Sequence, residues 1–553
     1  MKYRLCILLI LFPLLVNAQT PMNKDRLLKY VDQKSQAITS FWRQGKIEEA
    51  VAILETLYTL PNIRELDWVW TNTLYNLACG HSLLGHKEKS FAYLSETIQE
   101  GYSDYDQILK DSDLNNIRSD PRFEVIVKPL KMSYYKWESQ SLLSNYRDDL
   151  LETEKAAGLS KIWSEIKYGF AYFDRVPTLD WDSLYLACLS DVKSIRSTQD
   201  YYRILQKMCA QLHDGHTRIE VPKELFREMY AHPAIQTRLV ENKVLIVKVF
   251  NDSLEQIGIH PGLEILSVDS IPVQQYARRF VEPYNSSSTN QGQLTNTYEY
   301  YLLCGSKNKP VELEFTDNDG TTFRRILSRN YYRFQNYTDI IDFRLLDGNI
   351  AYVALNTFSD RNIVAKFDSL FPMIERSNAL ILDVRENSGG NSDIAYEIFG
   401  YLVEKPFKIV QGKSRNYNSF SRAMRKVQQW SENPSVELPA NGSKLYSKPV
   451  AVLISSRTAS SAEDFCVVLS HLKRGILLGE PTGGSTGQPL FYGLPGGGTG
   501  VVCTIRTFSP DGKEFVGIGI EPDITAYQTL SDVKSGTDAV LRAALSTLSN
   551  THK

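Results

Sequence analysis

Three short segments concentrate side chains suited to acyl transfer: Ser455-Ser456-Arg457-Thr458-Ala459-Ser460-Ser461-Ala462-Glu463, Asp383-Val384-Arg385-Glu386-Asn387-Ser388-Gly389-Gly390, and Leu212-His213-Asp214-Gly215-His216-Thr217. The first follows the apolar run Val450 to Ile454, which reads as a buried strand, and opens a helix expected from Ser460 to Leu472. A serine in the first turn of a helix puts its hydroxyl among backbone N–H groups without intrahelical partners, a setting that favours negative charge. Ser460 and Ser461 are both candidates for a nucleophile there. The spacing Ser460-x-x-Glu463 is also that of a capping box, and taken alone it favours a cap over a catalyst. A nucleophilic serine needs a base. Taken alone, His216 reads as a hydrogen-bonded structural imidazole rather than as that base. Gly389 and Gly390 carry no side chain, so a substrate carbonyl can come close to their N–H groups, with Ser461 N–H as a second donor to an oxyanion. The chain has no HExxH, no CxxC and no Cys/His cluster, so neither a metal nor another cofactor is expected.

These segments need a scaffold. At 553 residues the chain is too long for a single core and suits three or four domains; 42% hydrophobic and 23% charged residues describe an ordinary globular protein. Its 62 basic and 64 acidic residues leave a formal charge of -2, so no global field draws it to nucleic acid or anionic lipid. Lys2 and Arg4, the apolar run Leu5 to Val16, and Val16 and Ala18 before Gln19 read as a cleaved secretory signal, residues 1–18. No membrane span is expected after its removal, and the protein is expected to be periplasmic or secreted. Six cysteines remain (Cys79, Cys188, Cys209, Cys304, Cys466, Cys503); most sit in apolar stretches and read as buried thiols.

Residues 19–140 carry a helical pattern with turns at Gly45-Lys46 and Gly85-His86, and Leu74 to Leu94 resembles a tetratricopeptide repeat. Residues 141–235 form a second helical stretch leading to His216. From 236 to 330, a strand at Val244 to Val249, a Pro261-Gly262 turn, a strand at Leu263 to Val268 and a closing hairpin around Asn318-Asp319-Gly320 resemble a PDZ domain, a fold that takes a peptide as an added strand. Residues 331–535 alternate strand and helix, with strands at Ile350 to Leu355, Ala379 to Val384 and Val450 to Ile454 and a helix at Ile363 to Ile374, the rhythm of a mostly parallel sheet with active-site loops at strand ends. Residues 536–553 are read as a C-terminal helix and tail.

Together with Gly479-Glu480-Pro481-Thr482-Gly483-Gly484 and Gly517-Ile518-Gly519-Ile520-Glu521-Pro522-Asp523, the three segments resemble the tricorn and C-terminal processing peptidase family of serine proteases over about residues 142 to 530. The resemblance implies a multidomain α/β protein whose catalytic core is a ClpP/crotonase-like βαβ fold. It also implies Ser460, rather than Ser461, as nucleophile. One branch of the family uses a Lys after the Thr-Gly turn, where this chain has Ser485; the tricorn-like branch uses a His, matched by His216. The family's Glu before Gly-x-Gly-x-x-Pro-Asp falls at Val516. Glu514, two residues earlier and on the same face of an extended strand, is the candidate third member. Asp383 and Arg385 are expected to pair structurally, and Asn387 to brace its loop.

The function implied is an exported serine endopeptidase acting on polypeptides, with the helical repeats packing on it or holding a protein partner. A catalytically silent peptide- or lipid-binding protein on the same fold is the alternative.

Overall fold

The computed structural model describes residues 24–137, 140–317, 319–332 and 339–550; the signal segment 1–18 and Asn318 lie outside them. The chain divides into two units, residues 1–140 and 141–553.

In the first unit the long helices are Lys24–Arg43, Ile47–Tyr58, Asp67–Leu83, Lys87–Gln99 and Pro121–Trp137. The first four form two hairpins whose turns contain Gly45 and Gly85. A Cβ added at Gly80 would lie 2.4 Å from Val51 Cγ2, so a small residue is what lets Ile47–Tyr58 approach Asp67–Leu83. Leu54, Leu74, Leu77 and Leu94 fill the interior.

The second unit opens with helices Glu152–Gly169, Trp181–Ser194 and Thr198–Ala210. Asp180 and Ser197 cap the last two through their side chains, meeting N–H groups that a helix start leaves unpaired. A six-stranded antiparallel sheet follows: five strands run in the order Ile235–Val240, Lys243–Val249, Glu264–Val268, Val311–Thr316, Thr322–Leu327, and the short strand Ile271–Pro272 pairs with Glu264–Val268 beside that path. Period-two alternation buries Val311, Leu313 and Phe315 on one face, and helix Val273–Phe280 packs Val273 and Ala277 into the same core.

The central sheet has six strands in the order Ile524–Thr525, Ile476–Gly479, Val450–Ile454, Ala379–Asp383, Ile350–Leu355, Ile341–Leu346. The first five are mutually parallel and the last is antiparallel. Every residue of Ile350–Leu355, Ala379–Asp383 and Val450–Ile454 is buried, as continuous apolar runs require when both faces of a parallel sheet are covered. On one face lie helices Asn362–Arg376, Ser392–Phe399 and Ser461–His471. On the other, Val540, Ala544 and Leu548 of helix Ala539–Asn550 pack against Ala451, Leu453 and Leu478. That helix, expected from sequence within the C-terminal helix and tail, is a structural layer of the core.

The parallel strands send three loops from their C-terminal ends: 384–391, 455–460 and 480–487. Helix Ser461–His471 is anchored behind them by Phe465, fully buried, with ring centroids 6.2 Å from Phe358 and 5.5 Å from Phe399. Phe465→Ala is expected to destabilise the second unit by about 3–5 kcal/mol, read from the shift of its urea unfolding midpoint.

Candidate active site

The strand Val450–Ile454 ends in a turn laced to its neighbour. Ser455 Oγ donates to Arg385 O (2.7 Å), and Thr458 Oγ1 donates to Val384 O (2.8 Å). The chain then reverses at Ser460, whose φ of 56° and ψ of -130° are strained for a residue with a side chain. Its N–H donates to Ser485 O at 2.7 Å, and its Oγ lies 3.2 Å from His216 Nε2. The capping box suggested by Ser460-x-x-Glu463 does not form. The Ser460 side chain caps no N–H, and Glu463 instead accepts from Thr482 Oγ1, Gly484 N (2.8 Å) and Ser485 N (2.7 Å). The positive φ turns the hydroxyl toward the imidazole instead of the helix start.

His216 lies between helix Thr198–Ala210 and strand Arg218–Glu220. Its loop is held by buried Asp214, which accepts from Thr217 Oγ1 (2.7 Å) and Ser288 Oγ (3.3 Å), while Gly215 N donates to Ser288 Oγ (2.9 Å). Nδ1 of His216 lies 2.7 Å from Ser485 Oγ. Burial, with a smaller contribution from the Arg218 charge, pushes the imidazole down to about 4 from its ordinary 6.5. It is therefore neutral near pH 7, the state in which Nε2 can accept a proton from Ser460 if Nδ1 carries the ring hydrogen.

Gly389 has φ of 105°, and a Cβ on it would lie 2.5 Å from the Cβ of Ser460, so only glycine fits beside the nucleophile candidate. Its N–H is already taken by Asn387 Oδ1 (2.9 Å), and Asn387 Nδ2 donates to Leu355 O (2.9 Å), the loop-bracing role expected of it. The N–H groups of Gly390 and Ser461 make no hydrogen bond to another described residue. Arg385 pairs with Asp383 (2.6 Å) and Asp538 (2.8 Å) below this loop.

Glu514 is not brought to this set. Its carboxylate pairs with Arg506 and, at 3.9 Å, with Arg175. The same-face expectation for Glu514 and Val516 fails because residues 516–518 form a turn rather than a strand, which buries Val516 fully and leaves Glu514 at the surface. Sequence reasoning also missed Glu463 as more than a cap. The signal was present: Glu463-Asp464 interrupts an apolar run from Ala462 to Leu469. Burial raises their carboxyls to about 7 and about 6, and Asp464 accepts from Ser392 Oγ (2.7 Å) and Thr486 Oγ1 (3.0 Å). Among the described residues no group of three or more His, Cys, Asp or Glu side chains could hold a metal ion.

Residues 349–526 match the model of Peptidase family S41. The carboxy-terminal-processing protease of Bartonella bacilliformis is 28% identical over 202 residues, covering 35% of this chain and 43% of that protein. The carboxyl-terminal-processing protease of Synechocystis sp. is 22% identical over 427 residues, covering 73% of this chain and 90% of that protein. This chain thus spans less than half of the first relative and most of the second. The solved structure of mature CPAF complexed with lactacystin shares the fold, with a TM-score of 0.57 and 15% identity over 69% of this chain and 95% of that one. The family match and the relatives together support a serine-type peptidase.

Because the folded imidazole binds its proton less tightly than a free one, His216 contributes stability that is complete above pH 6.5 and is lost as pH falls toward 4. In an NMR titration of ring-labelled histidine its signals are expected to stay those of a neutral ring down to pH 5 and to move near pH 4.

Proposed function

We propose that this chain is an exported serine endopeptidase in which Ser460 attacks a peptide carbonyl and His216 accepts the proton at Nε2. The tetrahedral oxyanion is held by the N–H groups of Gly390 and Ser461, with Gly389 shaping the approach. The imidazolium then passes its proton to the departing amine, leaving an acyl ester on Ser460. Water, deprotonated by the same imidazole, attacks the ester, releases the acid and restores the serine. The observation that carries this reading is the strained turn of Ser460 with its hydroxyl 3.2 Å from His216 Nε2. An oxyanion donor of this kind is worth about 3 kcal/mol in a transition state.

Polypeptides are the substrate class. The relatives are named for carboxyl-terminal processing, and we extend that to this chain as cleavage near the ends of unstructured polypeptides. The antiparallel sheet spanning Ile235 to Leu327 suits a PDZ-like role, adding a peptide as a strand along an edge. The helical hairpins of the first unit suit a tetratricopeptide-like surface for a protein partner. Export rests on the segment Lys2 to Ala18. No helix among the described residues is long and apolar enough to cross a membrane.

One observation favours a silent binding protein: no carboxylate among the described residues is hydrogen-bonded to His216. Digestion of casein by the protein without residues 1–18 separates the two readings. Cleavage that falls by ~10⁴-fold or more in Ser460→Ala and in His216→Ala, and persists in Ser461→Ala, which keeps its N–H, is the expected result. Folded wild type that binds casein peptides without cleaving them would select the silent reading.

A further inference from the structure

In a serine–histidine pair the ring nitrogen that faces away from the nucleophile needs an acceptor, because only a ring protonated on Nδ1 can receive a proton on Nε2. In this chain the group at that position is a hydroxyl, Ser485 Oγ, 2.7 Å from His216 Nδ1. Its residue is buried, 8% exposed. Gly215 makes room for it: a Cβ at 215 would sit 2.6 Å from Ser485 Oγ.

Ser485 is clamped through its backbone as well. Its carbonyl accepts the N–H of Ser460 at 2.7 Å, and its N–H donates to Glu463 Oε2 at 2.7 Å. Glu463 is 0% exposed and gathers two more donors from the same loop, Thr482 Oγ1 and Gly484 N. It sits in the first turn of helix Ser461–His471, whose N-terminal end favours a negative charge. One buried carboxylate therefore ties the Ser485 loop to the helix that begins at the nucleophile, and the loop in turn touches both Ser460 and His216. Asp464 does the same for the adjoining residues, binding Thr486 of this loop and Ser392 of the helix that follows Gly389-Gly390.

Building on the peptidase reading, we infer that Ser485 is the positioning residue that holds His216 in its Nδ1–H form, and that Glu463 holds Ser485 in place, so that a hydroxyl anchored by a buried carboxylate stands where a carboxylate would otherwise meet the base. Neither side chain touches substrate. Glu463 acts through Ser485, and Ser485 through the imidazole. Glu514 has no part in this arrangement.

The test is made on the full chain after signal removal, with ¹⁵N-ring-labelled histidine, and the His216 signals are identified by their loss in His216→Gln. At pH 7 wild type is expected to show the Nδ1–H tautomer. Ser485→Ala is expected to populate the Nε2–H tautomer and to lower kcat on casein-derived peptides by ~10²-fold with KM within about threefold, the pattern of a perturbed base rather than lost binding. Glu463→Gln, which turns one of the two acceptor oxygens into a donor facing the N–H of Gly484 or of Ser485, is expected to shift the same tautomer signal. Ser485→Cys, close in size but a weak acceptor, serves if Ser485→Ala fails to fold. A Ser485→Ala or Ser485→Cys protein that keeps the wild-type tautomer and a kcat within threefold of wild type overturns the inference. A wild type that shows the tautomer pattern but cleaves no polypeptide contradicts the peptidase reading and leaves the Ser485 contact standing, so the two failures are distinguishable.

Discussion

The backbone reversal at Ser460 is the constraint on which the rest of the second unit depends. A side-chain-bearing residue at φ 56° and ψ -130° costs about 1–3 kcal/mol and persists only where its surroundings dictate it. Here they do so from three sides. The Ser460 N–H is committed to Ser485 O, the preceding turn is tied to Val384 and Arg385, and Phe465 fixes the following helix between Phe358 and Phe399. The parallel sheet supplies the frame for all three, because its strands deliver the 384–391, 455–460 and 480–487 loops to one end.

The same loops carry buried charge, which is costly unless paired. Arg457, 5% exposed, meets Glu299 (3.2 Å) and Glu386 (2.8 Å), and Glu299 in turn meets Arg238 (2.9 Å) on the first strand of the antiparallel sheet. The Ser460 turn and the antiparallel sheet are thus joined by a chain of ion pairs in which the buried side chains of Arg457 and Glu299 each meet two opposite charges. Glu463 and Asp464 pose the same problem within the core and meet it with donors from loops rather than with cations. The hydrogen bonds they collect are what fix the loops. Rigidity around Ser460 comes from polar groups that must be satisfied, and the apolar layers exclude the water that would otherwise satisfy them.

Much of this was legible in the residues. The continuous apolar runs at Ile350, Ala379 and Val450 identify buried parallel strands, and the glycines at 45 and 85 mark the turns of the helical hairpins. Segment chemistry pointed to Ser460 or Ser461 and to Gly389-Gly390, and the family resemblance to Ser460 and His216; the fold gathers these from three distant stretches of chain. What was not legible depends on tertiary detail. Ser460-x-x-Glu463 has the spacing of a cap, and only the sign of φ at Ser460 shows that neither side chain is used that way. Period-two reasoning put Glu514 and Val516 on one face, but it holds only in a strand, and that segment turns. The partnership of Ser485 with His216 joins positions 269 residues apart and has no local signature. Likewise the terminal helix Ala539–Asn550 shows its role only through the sheet face it covers.

The central claim is that the hydroxyl of Ser460 is the reacting atom. Treating the folded protein with a fluorophosphonate at neutral pH and mapping the adduct by tandem mass spectrometry of the peptide containing residues 457–473 tests it most directly. The account predicts a single adduct on Ser460 in wild type and none in His216→Ala; an adduct on Ser461, or no adduct on a protein shown to be folded, would contradict it.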